Sequence, residues 1–392
     1  MDDLPFLDMR APGFSTRSQA VSEARDKNWC ARTPFGLAVL RHRQAGALLR
    51  DRRCRQGSHD WPYKMNLVGS FADFWSRSVI SVEGPEHKLQ RRVAQAALAE
   101  PDILALCPTF ETIADQLLKG APDQVEFVEA FSEPFAGQAI AALLGLPPEY
   151  APDLAKDAST LGLAMGIDAK LHEAAANAAT DRLMHLSDQL LDDRIPLIAY
   201  TSFVTRLRSA AQELGLNNRQ TLLDLIVISI FGGVDTTRAQ LAFAVSLFIE
   251  HADTWQNIRA NPDLIPGTID EVIRHRPTTT WASRETLEDI TLDGITIPAA
   301  TTLHILVHAT ATDPLTGFET GFDPAARRKT HFGFGGGAHH CLGQFVARTD
   351  MACALRVMAA RIQRFEWAGT PDYLPDSGNT SPRTLPVQMI RS

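Results

Sequence analysis

The sequence predicts a mainly α fold with small β-sheets. Three observations lead there. Amphipathic segments follow one another through the middle of the chain. One of them, Thr221 to Glu250, is apolar on nearly every face. Strand-like alternation is confined to a short early stretch and the last third.

Taken in order, the chain to about Phe74 is mixed and irregular. Phe35 to Asp51 reads as a strand running into a short helix, and Arg52 to Trp75 as a long loop or short helices rich in aromatics. From Glu86 the pattern turns helical. His87–Glu100, Cys107–Leu118, Phe131–Leu144, Asp153–Leu163, Leu171–Ile195 and Ser202–Leu214 each repeat apolar positions at helical spacing with good helix formers between them. A helix as apolar as Thr221–Glu250 must be buried on most faces, so it is expected to run through the middle of the molecule. Ile290 to Ala309 alternates, turns at Asp293-Gly294 and alternates again, which predicts a hairpin. A loop to Gly337, a helix Leu342–Arg361 and a final strand Leu385–Ile390 complete the chain.

An apolar fraction of 45% over 392 residues is enough for a large core and excludes a disordered chain. A net charge of -8 argues against nucleic acid as a partner. The five cysteines form no CxxC pair and no zinc-like spacing. The opening MDDLPFLDMR begins with acids and lacks a signal-like apolar run. The most apolar stretch, Leu222 to Phe248, is interrupted by Asp224, Asp235 and Arg238. A cytoplasmic chain with no membrane anchor is expected.

The most specific segment is His331 to Asp350, HFGFGGGAHHCLGQFVARTD. It follows neither the spacing of a dinucleotide loop nor that of a Walker loop. Adjacent His339, His340 and Cys341 do not converge easily on one zinc ion. A glycine-rich turn that ends in Cys at a helix start can aim backbone N–H groups at the sulfur. The helix N-terminus then favours a thiolate. Such a setting suits an axial haem thiolate.

At this point the chain resembles the cytochrome P450 family. The family signature FGxGxHxCxG, followed by AR, is matched by Phe334, Gly335, Gly337, His339, Cys341 and Gly343, with Ala347 and Arg348. The resemblance implies the cytochrome P450 fold, a triangular prism with a long central distal helix and a proximal Cys-ligand loop. It implies haem b with Cys341 as axial thiolate and metal ligand, and O2 as co-substrate. Phe334 would shield the sulfur, and His339 would reach a haem propionate. The family's (A/G)Gx(D/E)T element falls on Gly232, Gly233, Val234, Asp235 and Thr236. Gly232 and Gly233 would leave room beside the haem. Asp235 and Thr236 would deliver protons to bound dioxygen. His87, Arg91 and Arg284 match positions that neutralise the propionates. Glu271 and Arg274 form ExxR, a structural pair on one helix face.

By the same resemblance the reaction is R–H + O2 + two electrons + two protons giving R–OH + water. A single haem domain spans 1–392, with 1–34 as an N-terminal segment and no fused reductase. Electrons would then come from a ferredoxin and an NAD(P)H-dependent ferredoxin reductase. Arg327, Arg328, Lys329 and Arg348 are candidates for a basic docking patch. The substrate is expected to be a mostly hydrophobic small organic molecule and the protein a monomer. Pocket candidates are Val227, Ile230, Gly232, Thr278, Thr280 and Trp281, with the Trp61–Trp75 loop, the region Asp168–Pro196 and Gly378–Asn379. Rival readings are a peroxide-driven enzyme, a non-oxygenating isomerase or dehydratase, and a non-enzymatic haem or gas sensor.

Overall fold

The computed structural model describes residues 3–198 and 202–392. Met1 and Asp2 of the acidic opening lie outside the described residues. Helices dominate, and the longest is Arg219–Glu250. Its start is capped by Asn218, whose side chain accepts the Thr221 N–H at 3.3 Å. From Val234 to Phe248 its residues are buried nearly all round, apart from Thr236. It packs against the helices Glu133–Leu144, Ala151–Leu163, Ile265–His275 and Gln344–Arg361. One apolar cluster wraps its N-terminal half, and a second wraps its C-terminal half. Gly232 and Gly233 do not break it, and the helix is continuous through them.

The strands form a five-stranded sheet in the order Cys30–Thr33, Gly36–Val39, Thr302–Leu306, Trp281–Thr286, Cys54–Gln56. A three-stranded sheet joins Gln124–Glu126, Pro386–Arg391 and Ile362–Trp367. The hairpin is shorter than the alternation suggests. Only Ile290–Leu292 and Ile295–Ile297 pair across Asp293-Gly294, both of which have positive φ. Thr302–Leu306 leaves this pair and joins the five-stranded sheet, and Val307–Ala311 is helical. Period-2 alternation marks a strand but not its partner. The helix expected over Phe131–Leu144 opens with a wide π-type turn, Val128–Ser132, before Glu133–Leu144. Gln19–Lys27 is a helix within the stretch read as irregular.

The segment before Cys341 is held by a buried charge network. Glu271 and Arg274 face each other on one helix, bonded twice at 2.6 and 2.7 Å. Arg274 also donates to the carbonyls of Ala311, Thr320 and Gly321. Glu271 accepts the Asp323 N–H at 2.9 Å and an Arg328 N–H at 3.2 Å. Burial pushes the Glu271 carboxyl up, but Arg274, the Asp323 N–H and Arg328 outweigh it and hold it below the usual range.

Removing Glu271 leaves Arg274 without its counter-charge in the interior. Glu271→Ala is expected to cost about 3–5 kcal/mol in urea unfolding. The lowered carboxyl stabilises the fold fully above its unfolded pKa of about 4.3, and that stabilisation is lost as pH falls through the lower folded value. Glu271→Gln should therefore remove part of the acid-side decline in Tm.

Candidate active site

A cavity of about 850 Å³ lies between the central helix and the cysteine loop. That is within the roughly 300–1,000 Å³ typical of ligand pockets. Its wall includes Gly232 and Thr236 on one side and Cys341, Gly343 and Ala347 on the other. Of the five cysteines, Cys341 alone lines it.

The loop geometry explains its glycines. Gly335 and Gly337 adopt φ of +68° and +66°, a region costly for other residues. A Cβ on Gly337 would sit 2.0 Å from the Leu49 carbonyl oxygen. The turn is closed by Gly335 N–H to Phe332 O at 2.8 Å and Cys341 N–H to Phe334 O at 2.9 Å. The Cys341 side chain is exposed because it faces the cavity, although it lies deep in the molecule. Burial raises its pKa, opposed by the N–H groups of Gly343 and Gln344 and the charges of Arg91 and Arg348. The Arg348 guanidinium stacks 4.4 Å over the Phe334 ring and donates to Asp270 at 2.8 Å.

Cationic and imidazole groups gather at one end. Arg91 donates to His340 O at 2.7 Å, and Arg284 to Gly336 O at 2.7 Å. His339 bonds Glu83 at 2.9 Å and stacks on His87 at 4.1 Å between centroids. His339 Nδ1 and His87 Nε2 are buried without partners. Burial, then His87, pushes His339 down to about 4. Buried polar atoms normally have partners, so two orphaned imidazole nitrogens beside two arginines mark a place for acidic groups. Cβ atoms at Gly232 and Gly343 would meet nothing within 4 Å, which leaves both walls open to a flat group. These residues fit a haem with its two carboxylates. His87 is not itself a lining residue and stands behind His339.

The other side of the cavity differs in detail from expectation. Thr236 lines it and donates to Gly232 O within its own helix. Asp235 does not line it. Its carboxylate pairs with Arg238 at 2.8 Å and lies 3.4 Å from Asn379 Nδ2. Gly233 borders the cavity, but a Cβ there would come within 2.2 Å of Ile140. Its smallness serves helix packing, and Gly232 is the glycine that opens onto the ligand space. Val227 and Ile230 are corrected: both are fully buried in the core. The lining stripe runs Leu225, Ser229, Gly232, Thr236, Gln240 at helical spacing, which puts 227 and 230 on the opposite face. Thr280 is also corrected, because its hydroxyl is spent on Gly378 at 3.0 Å and it does not line the cavity. Thr278, Trp281, Gly378 and Asn379 do line it, as do Trp61, Met65 and Trp75. Of the region Asp168–Pro196, Asp168 alone does so.

Sequence reasoning missed Arg238, Asp350 and the role of Arg328, and it named Asn379 as a lining residue but not as a neighbour of Asp235. Arg238 was legible, standing three residues after Asp235 as Arg274 stands after Glu271. Asp350 accepts from Thr237 at 3.1 Å and is raised well above the usual carboxyl range by burial. Arg328 and Arg348 are tied to Glu271 and Asp270, so two of the four residues of the expected basic patch are already ion-paired.

Residues 158–385 match the family described as Cytochrome P450. Luteothin monooxygenase of Streptomyces thioluteus is 31% identical, covering 98% of this chain and 96% of its own. Mycinamicin VIII C21 methyl hydroxylase of Micromonospora griseorubida is 26% identical over 86% of this chain and 85% of its own. A cytochrome P450 structure from Chondromyces apiculatus superposes with a TM-score of 0.85, 21% identity and 99% of both chains covered. The fold is therefore that of a cytochrome P450, with the long helix over one face of the cavity and the cysteine loop under the other. The chain belongs to the cytochrome P450 family. It is a haem-thiolate monooxygenase whose cofactor is haem b with an axial cysteine thiolate and whose co-substrate is O2.

The two glycines should respond differently to a methyl group. Gly233→Ala is expected to lower stability by about 1–3 kcal/mol through overpacking, and Ile140→Ala should relieve it. Gly232→Ala should raise stability by up to about 1 kcal/mol, as a helix gains on replacing Gly. Thermal melts of the variants check both.

Proposed function

We propose that Cys341 supplies the axial thiolate, and that Arg91, Arg284 and His339, backed by His87, hold the haem carboxylates. The observation that carries this reading is the position of Cys341 opposite Thr236 across one cavity with cationic groups gathered at its edge. Bound haem supplies the activation of O2 and the insertion of one oxygen atom into a C–H bond. The chain's own residues do the rest. Gly343 and Gly232 leave the space. Phe334, held under Arg348, covers the sulfur side. Thr236 places a hydroxyl on the cavity wall, where it would hold or pass a proton. Asp235, held by Arg238, passes protons to that hydroxyl when its carboxylate turns from the guanidinium.

Trp61, Met65, Ile228 and Trp281 make the substrate wall mostly apolar. Thr279 and Asn379, also on that wall, orient one oxygen-bearing group. One haem domain spans the chain, and electrons arrive from a separate ferredoxin reduced by an NAD(P)H-dependent reductase. Arg327 and Lys329 are exposed on the segment before the cysteine loop, where an acidic donor would dock. No helix among the described residues is long and apolar enough to cross a membrane. A cytoplasmic site of action is part of this proposal.

Replacing Cys341 with His should abolish the red-shifted Soret band of the thiolate-ligated ferrous carbon monoxide complex. Persistence of that band would reject the ligand assignment. Thr236→Ala should lower product per NAD(P)H by at least about tenfold and raise peroxide release, consistent with a positioned acid–base group contributing about 10²–10⁴-fold. Unchanged coupling would remove Thr236 from proton delivery. Turnover with hydrogen peroxide alone, equal to that with ferredoxin and reductase, would favour the peroxide-driven alternative.

A further inference from the structure

Two cysteines outside the cavity face each other across a helix pair. The helix Cys107–Gly120 packs along Gln344–Arg361, the helix that follows the cysteine loop. Ion pairs set the register between them. Glu111 meets Arg356 at 2.9 Å, and Asp115 meets Arg361. Both series ascend together, so the two helices run parallel, and one turn earlier the same register brings Cys107 beside Cys353. Cys107 packs against the apolar cluster that contains Cys353. Arg356 Nη2 lies 3.3 Å from the Cys353 sulfur.

We propose that Cys107 and Cys353 are a peroxide-oxidisable pair that closes to a disulfide between these helices. The two members have different roles. Cys107 is half-buried at the first residue of its helix, so its sulfur is the one of the two that a small oxidant reaches from outside. Cys353 is fully buried, and burial and then Cys107 push it up to about 12, so it stays a neutral thiol until a neighbour is activated. Hydrogen peroxide is the oxidant, and it forms whenever electrons reach O2 without product. The Cys107 sulfur attacks one peroxide oxygen and the O–O bond breaks. This gives a sulfenic acid and one water. The Cys353 sulfur then attacks the Cys107 sulfur, and its proton leaves with the displaced hydroxide as a second water. Arg356 stabilises the charge that develops on Cys353. In total, two thiols lose two electrons and two protons to one peroxide, which becomes two waters.

Other cysteines lack this arrangement. Burial pushes Cys30 up to about 12 and Cys54 up to about 11. Cys341 lies at the cavity floor.

The test uses the holoenzyme. It is treated with hydrogen peroxide, quenched with catalase, alkylated in denaturant and digested without reductant. The expected product is a cross-linked peptide pair holding Cys107 and Cys353, lighter by two hydrogens and absent after dithiothreitol. In Cys353→Ser the reaction should stop at a Cys107 sulfenic acid that dimedone traps. In Cys107→Ala, Cys353 should remain as fully alkylatable as in untreated protein. The proposal is overturned if both thiols stay alkylatable in the parent enzyme after peroxide. It is equally overturned if Cys353 is lost without Cys107, or if Cys107 cross-links to another cysteine. The oxidised parent should also melt at a higher temperature than the reduced form, whereas Cys107→Ala should show no peroxide-dependent shift.

Discussion

The buried contact of Glu271 with Arg274 and Arg328 is the interaction on which the rest of the site depends. It joins a helix to the carbonyls of Ala311, Thr320 and Gly321 and to the Asp323 N–H. Those segments lead directly into the cysteine loop. A glycine-rich turn has little rigidity of its own. Here it gains rigidity from outside, through the charge network on one side and the Leu49 carbonyl packed against Gly337 on the other. Charges this deep cost desolvation free energy, and only full pairing offsets it. The network achieves that pairing with side-chain and backbone partners together.

Electrostatics then divides the cavity. One end collects Arg91, Arg284 and His339, with His87 and Glu83 standing behind His339. The opposite wall is apolar, with Thr236 as its hydroxyl beside the helix glycine. A ligand with acidic groups at one edge and a greasy body is oriented by that asymmetry alone. The acids nearest the central helix are handled in two ways. Asp235 is kept close to a guanidinium, whereas Asp350 is buried beside Thr237 and pushed toward its neutral form. Neighbouring positions on one helix thus contact carboxyl groups in different environments.

Much of this was legible in the sequence, for physical reasons that differ between parts. The cysteine loop reads directly because the chemistry needs its residues contiguous, from Phe334 to Gly343. The central helix reads directly because burial on every side requires apolar residues on every side. What does not read is partner choice across long separations. Arg328 meets Glu271 only after the intervening chain folds back, and Asn379 approaches Asp235 from the far end of the sequence. Nor does composition say which face of an all-apolar helix looks at the ligand. Val227 and Ile230 are as hydrophobic as Leu225 and Ile228, and only the rotation of the helix separates wall from core.

The contact between Gly233 and Ile140 has a geometric consequence. The central helix forms the ceiling over Cys341, and its height is set where it rests on the neighbouring helix. Ile140 acts there as a spacer gauge. Because Ile140 also borders the ligand space, one apolar side chain is shared between the helix seat and the cavity wall.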